Sequence, residues 1–151
     1  MKVTDILTKK GPRIVTVKAS ETIGALSALL REKLVGAAVV SEDGQSVDGV
    51  ISERDVAYGL SVHKATLHSL PVSALMTTTV ITCSTSDKVS DVASTMVARN
   101  IRHVPVVEEG RLIGMVSIRD VLNFRVDDLQ QQTSMLRAFA SDTDREPQDR
   151  E

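Results

Sequence analysis

Two short stretches of the chain set a hydroxyl, a guanidinium and a carboxylate side by side. Residues 114–121 read GMVSIRDV and residues 49–56 read GVISERDV. An acid three residues after a Ser, at a helix start, is a capping-box pattern with Asp in place of Glu. Ser52 and Ser117 would satisfy a free helix N–H, and Asp55 and Asp120 would favour the positive helix end. The same geometry suits a ligand. Unpaired N–H groups at a helix N-terminus attract phosphate. The Ser hydroxyl can donate to a phosphate oxygen, and Arg54 or Arg119 can add a forked, charged donor. A carboxylate offers two acceptor oxygens, matched to the vicinal hydroxyls of a ribose. Capping and binding are compatible, because lone pairs remain. A base would then slide between aliphatic walls such as Ile101, Val104, Pro105 and Val116. Apolar packing and backbone hydrogen bonds would hold it, since Tyr58, Phe124 and Phe139 are the only aromatic residues.

The doubled stretch belongs to a longer repeat, which is the first thing to seek in a sequence. Thr16 and Thr82, Val40 and Val106, and Gly44 and Gly110 are each 66 residues apart. Ser52 and Ser117, Arg54 and Arg119, and Asp55 and Asp120 are 65 apart. The one-residue change falls in a polar turn, where it costs little. A shorter echo pairs VTDIL at 3–7 with VSALM at 72–76.

Each repeat carries the same elements. Residues 14–17 and 80–83 are β-branched or apolar runs, read as strands. Ile23, Leu26 and Leu30 share one helical stripe, as do Val89, Val92 and Met96. Thr22 or Ser20, and Ser86 or Asp87, are the expected helix starts. Strands 37–41 and 48–52, then 103–108 and 111–117, are joined by turns at Asp43-Gly44 and Glu109-Gly110. A second helix starts at each Ser-x-Arg-Asp stretch. The unit is β-α-β-β-α, used twice. A unit of about 60 residues buries too little surface alone. Pairing two units face to face predicts a pseudo-twofold axis and two equivalent clefts.

The ordered double set resembles a pair of CBS motifs (named for cystathionine β-synthase), also called a Bateman module. VTDIL, IVTV, GAAVV and GVISERDV carry the resemblance in the first repeat; VSALM, VITC, IRHVPVVEEGRLIG and MVSIRDV carry it in the second. It covers about residues 1–125. The implied fold is α/β: two β-α-β-β-α motifs packed with pseudo-twofold symmetry, plus a C-terminal helix. The implied division is motif 1 at 1–66, motif 2 at 67–125, a helix at 126–140 and a disordered tail at 141–151. In that family the clefts often bind AMP, ADP, ATP, NAD(H) or S-adenosylmethionine. By position, Ser52, Asp55, Ser117 and Asp120 inherit the phosphate and ribose contacts. Arg54 and Arg119 are candidates only, because that slot varies in the family. The expected first cleft comprises Thr16, Gly36, Ala37, Ala38, Ser52, Arg54 and Asp55. The expected second comprises Thr82, Ile101, Arg102, His103, Val104, Pro105, Ser117, Arg119 and Asp120. Arg102 and His103 stand where the first repeat has Gly36 and Ala37, so the second cleft should suit phosphate better.

The rest of the sequence limits the alternatives. The formal charge of −2, with no Lys/Arg block and no Trp, gives no platform for nucleic acid. No stretch approaches the roughly 20 apolar residues of a membrane span, and the N-terminus lacks a secretory h-region. A cytoplasmic location is expected. Cys83 is the single cysteine and reads as a packing residue, since no His or Asp is arranged to activate it. His63 and His68, in the 57–71 segment, do not share a helix face and have no third ligand nearby. That segment reads as a solvated linker, with no metal site. From Val121 to Ala140 nothing breaks a helix. Leu122, Leu129 and Leu136, with Val126, Thr133 and Ala140 four residues after each, form a weak heptad compatible with a parallel dimer. The alternative is a helix folded back on its own module. The sequence therefore reads as a stand-alone regulatory module and a homodimer. It would bind an adenosine-type regulatory ligand, need no cofactor for catalysis, act on a protein target the sequence does not name, and not be an enzyme. The competing reading is an adaptor without a ligand.

Overall fold

A computed structural model describes residues 1–11 and 13–143. The elements run α1 (Val3–Lys10), β1 (Thr16–Val17), α2 (Ile23–Lys33), β2 (Ala37–Val40), β3 (Gly49–Ser52) and α3 (Glu53–His63). Two 3₁₀ turns follow, Lys64–Ser69 and Val72–Ala74. Then come α4 (Val89–Arg99), β4 (His103–Glu108), β5 (Arg111–Ser117) and α5 (Ile118–Thr143). The protein is α/β, and the two repeats are built alike. The Ser41 amide donates to Val17 O at 2.9 Å, and its counterpart Val107 donates to Cys83 O at 2.8 Å. Glu53 N donates to Gly36 O at 2.9 Å, and Ile118 N to Arg102 O at 2.8 Å.

The first sheet runs β1-β2-β3, with β1 parallel to β2 and β2 antiparallel to β3. Among the described residues the second sheet has only β4 and β5. Residues 80–83 do not form the expected strand; Cys83 makes a single parallel bridge to Val106. The cause is Pro105. In the first repeat Val39 N donates to Val15 O at 2.9 Å. Pro105 occupies the position of Val39 and has no N–H to donate, so that rung is lost.

The hairpins differ as the repeat offset implies. Glu108 pairs with Arg111 around Glu109 (φ 49°) and Gly110 (φ 76°), the positive-φ pair of a tight hairpin turn. A register shift between Val106 and Val107 absorbs the mismatch. The first repeat instead closes its turn on Asp43, whose Oδ1 accepts from the Gln45 and Ser46 amides, each at 2.8 Å.

The helix stripes fall where the periodicity put them: Ile23, Leu26 and Leu30, and Val89, Val92 and Met96, are buried. Thr22 caps α2 by accepting from Ala25 N at 3.1 Å. The start of α4 lies later than expected, with Lys88 at the cap. Asp87 instead closes the preceding turn by accepting from Ser84 N. The segment 57–71 is not a solvated linker. α3 runs on to His63, and the following 3₁₀ turn sends Leu67 into the first core.

Two hydrophobic cores form, and the short leaders that echo each other are exchanged between them. Val3 and Ile6 of α1 pack with Val92, Met96, Val104, Val106 and Val116 of the second repeat. Val72 packs with Ile23, Leu26, Val40 and Ile51 of the first. A third cluster, Val39 with Leu112 and Met115, joins the two sheets. α5 is one unbroken helix, and residues 129–143 are exposed throughout. The rest of the expected tail, 144–151, lies outside the described residues.

Candidate functional site

Both Ser-x-Arg-Asp stretches form capping boxes at helix starts. Ser52 N donates to Asp55 Oδ2 at 2.8 Å, and Asp55 N returns a bond to Ser52 Oγ at 3.4 Å. Ser117 N donates to Asp120 Oδ2 at 2.8 Å, and Asp120 N to Ser117 Oγ at 3.2 Å. Each cap uses one carboxylate oxygen. Among the described residues, neither Asp55 Oδ1 nor Asp120 Oδ1 has a hydrogen-bond donor, so each keeps an acceptor for something else.

Each carboxylate opens on a cleft. The Asp55 cleft has a volume of about 330 Å³ and is lined by Ser52, Glu53, Arg54, Asp55 and Tyr58 of the first repeat, with Gly36. Its far wall is Thr77, Thr79, Val80 and Ile81 together with Asn100, Ile101, Arg102 and His103. The Asp120 cleft is wider, about 1170 Å³. It combines Met115, Ser117, Ile118, Arg119, Asp120 and Asn123 with Lys9, Lys10, Arg13, Val15 and the 27–37 stretch of the first repeat.

The residues are therefore grouped differently from the same-repeat expectation. Ile101 faces the Asp55 cleft rather than the Asp120 cleft. Ala37 faces the Asp120 cleft rather than the Asp55 cleft. Gly36, Arg102 and His103 border both. The leader exchange explains the swap. The 72–76 leader sits in the first core and is stitched to β3 by reciprocal Val50–Thr77 amide bonds at 3.0 and 2.9 Å. It thus delivers Thr77, Thr79, Val80 and Ile81 to Asp55, while α1 and the residues after it deliver Lys9, Lys10, Arg13 and Val15 to Asp120. Six expected residues line neither cleft. Ala38, Val104, Pro105 and Val116 are buried within the sheets. Thr16 pairs with Val39 inside the first sheet, and Thr82 stands one residue past the last cleft residue of its segment, Ile81.

The electrostatics also differ. Lys10 Nζ lies 2.6 Å from Asp120 Oδ2 and also donates to Met115 O. Burial alone would raise the Asp120 carboxyl, but the Lys10 and Ser117 bonds and the Lys10 charge outweigh it and hold it below the usual carboxylate range. Asp55 has no lysine partner among the described residues; its Oδ2 accepts instead from Ser52 Oγ at 3.0 Å. Arg54 spends one N–H on Asn100 O at 3.0 Å. His103, at the shared wall, is pushed below the usual imidazole value by burial; Glu53 and Asp120 oppose this, while Lys10 and Arg102 add to it. Buried Cys83 belongs to the second core, and desolvation with the Asp87 and Glu108 charges pushes its thiol up to about 12. It is a protonated packing group.

Sequence reasoning missed Glu53, Tyr58 and Asn100 in one cleft, and Lys10, Arg13 and Arg31 in the other. Glu53 is the variable position of the first Ser-x-Arg-Asp stretch, and the other five belong to no local motif. Only the exchange of leaders brings the basic end of α1 to Asp120. Among the described residues no cluster of His, Cys, Asp and Glu could hold a metal ion, and no helix is long and apolar enough to cross a membrane.

The CBS domain family model matches residues 3–61 and 72–127. A solved CBS-domain containing protein of Agrobacterium tumefaciens is 36% identical, with a TM-score of 0.80 over 83% of this chain and 99% of that one. A CBS domain protein of Pyrobaculum aerophilum, complexed with AMP, is 32% identical, with a TM-score of 0.70 over 80% of this chain and 89% of that one. The CBS domain pair of protein MJ0100, in complex with 5′-methylthioadenosine and S-adenosyl-L-methionine, is 26% identical, with a TM-score of 0.75 over 85% and 98%. Four curated relatives at 28% to 35% identity are spanned over 32% to 76% of their own length.

Proposed function

We propose that this chain, which belongs to the CBS domain family and carries two copies of the domain, is a regulatory module that binds adenosine-containing ligands in its two clefts. The observation that carries the reading is the pair of capping carboxylates, each lining a cleft and each with one oxygen that no hydrogen bond uses among the described residues. Asp55 and Asp120 accept from the ribose hydroxyls. The helix-start amides and Ser52 or Ser117 face the phosphate or other 5′ substituent. The base lies against Val80, Ile81 and Ile101 in one cleft, and Val15 and Val35 in the other. Similarity to a protein that holds AMP, and to a pair that holds 5′-methylthioadenosine and S-adenosyl-L-methionine, supports the ligand class. ADP, ATP and NAD(H) belong to the same class. Occupancy biases two arrangements of the paired repeats, to the extent that the ligand binds one better than the other. The module acts in the cytoplasm as a homodimer, on a protein target and without chemistry of its own.

A thermal-shift panel with AMP, ADP, ATP, NAD(H), S-adenosylmethionine and 5′-methylthioadenosine tests this. A ligand at 100 times its dissociation constant adds about 2.7 kcal/mol, which raises the melting point by roughly 5–10 °C at this size. If none shifts it, and the purified protein carries no nucleotide by mass spectrometry, the adaptor reading replaces this one. The observation favouring an adaptor is the exposed apolar surface of α5, with Leu136 71% and Phe139 74% exposed.

A further inference from the structure

We propose that the clefts divide the adenosine ligands by charge: the Asp120 cleft takes polyphosphorylated adenosine, selected by Lys10, and the Asp55 cleft takes adenosine compounds without an anionic tail. This rests on the reading that the clefts hold adenosine compounds. Apart from Lys9, which is paired with Asp127, the Asp120 cleft presents Lys10, Arg13, Arg31, Arg102 and Arg119 against the carboxylates of Glu53 and Asp120. That is a surplus of three positive charges in a concave site, which raises the local concentration of anions. The Asp55 cleft presents Arg54 and Arg102 against Glu53 and Asp55, a balanced set. It is also the smaller, about 330 Å³ against about 1170 Å³.

Lys10 decides the matter at the ribose carboxylate. An unneutralised Asp120 would repel a polyphosphate. Lys10 cancels its charge at 2.6 Å without occupying Oδ1. An ammonium has three N–H donors. Asp120 and Met115 O take two of them, which leaves one for a ligand phosphate.

The test is calorimetric titration of the full chain with ATP and with adenosine, at 50 and 300 mM salt. The variants are Asp120→Asn, Asp55→Asn, Lys10→Met and Lys10→Arg. Asn keeps an oxygen for the helix cap, and Lys10→Met leaves the cap untouched, so either variant can report if the other folds poorly. Asp120→Asn and Lys10→Met should each weaken ATP about tenfold, the loss of one charged hydrogen bond. Lys10→Arg should restore most of it. ATP affinity should fall with salt, and adenosine affinity should respond to Asp55→Asn and barely to salt. ATP affinity lost in Asp55→Asn, or unmoved in Lys10→Met, overturns the division by charge. If both ligands bind only through Asp120, the division falls while the sensor reading stands. If neither ATP nor adenosine binds, the division falls, and the sensor reading falls with it only if the wider thermal-shift panel is also blank.

Discussion

His103 occupies the wall common to both clefts, close to Gly36. A Cβ added at Gly36 would lie 3.2 Å from His103 Cε1 and 3.2 Å from Glu53 Oε1, so the imidazole packs tightly over the glycine. Burial lowers its proton affinity, and the opposing pull of Glu53 and Asp120 does not restore it. Above about pH 6.5, the ordinary imidazole value, folded and unfolded chains both hold His103 neutral. As pH falls through that value the unfolded chain takes up a proton that the folded chain refuses, so stability declines toward the lower folded value. Urea unfolding at pH 7.5, 6.5, 5.5 and 5.0 should show this decline, and His103→Gln should flatten it. An unchanged slope in the variant would assign the decline to other groups. At this scale the sequence was most informative about pairs close along the chain. Ser52 with Asp55 and Ser117 with Asp120 are three residues apart, and a helix start dictates their geometry. Lys10 with Asp120 is 110 residues apart, and no local rule could have joined them.

At the scale of elements, the repeats hold each other to a common geometry even where the residue types are poor for it. α2 and α4 both end on a left-handed residue, Leu34 at φ 54° and Asn100 at φ 52°. Asn tolerates that conformation, and a branched apolar side chain does not. Leu34 is also 87% exposed, so it recovers nothing by burial, and the conformation comes from its place in the fold. Leu34→Gly should therefore raise stability by about 1 kcal/mol, and Asn100→Ala should lower it by a similar amount. Chemical denaturation of both variants checks this; a destabilised Leu34→Gly would mean that the leucine packs as well as caps. Strand existence followed the same division between local and distant causes. β2 to β5 were legible to within a residue, because alternation and turn residues mark hairpins locally. The missing strand at 80–83 was not, because its cause is a proline 22 residues later. The helical nature of 57–63 and the burial of Leu67 also depend on a distant surface, the first core.

For the molecule as a whole, the exchanged leaders make each repeat depend on the other. With Val3 and Ile6 in the second core and Val72 in the first, neither repeat keeps a full core if the chain is cut between them. The sheets add a third contact through Val39, Leu112 and Met115. The surface left over is not evenly polar. On α5, Leu122, Val126, Leu129 and Leu136 are 58%, 51%, 49% and 71% exposed, and they follow the heptad that the sequence displays. The fold-back alternative would have buried Leu129 and Leu136, and it does not occur. An apolar seam of this length on an isolated chain is a site for association, and the heptad spacing is compatible with a second copy in parallel register. A homodimer is therefore expected by light scattering at micromolar concentration. Leu129→Asp with Leu136→Asp places charges in the seam without touching either core, and should convert the dimer to a monomer that melts as a folded protein. A wild-type monomer, or a dimer indifferent to both charges, would remove α5 from the interface. The clefts lie off this seam, so the monomeric variant should still bind whichever ligand the wild type binds, and assembly can be tested apart from sensing.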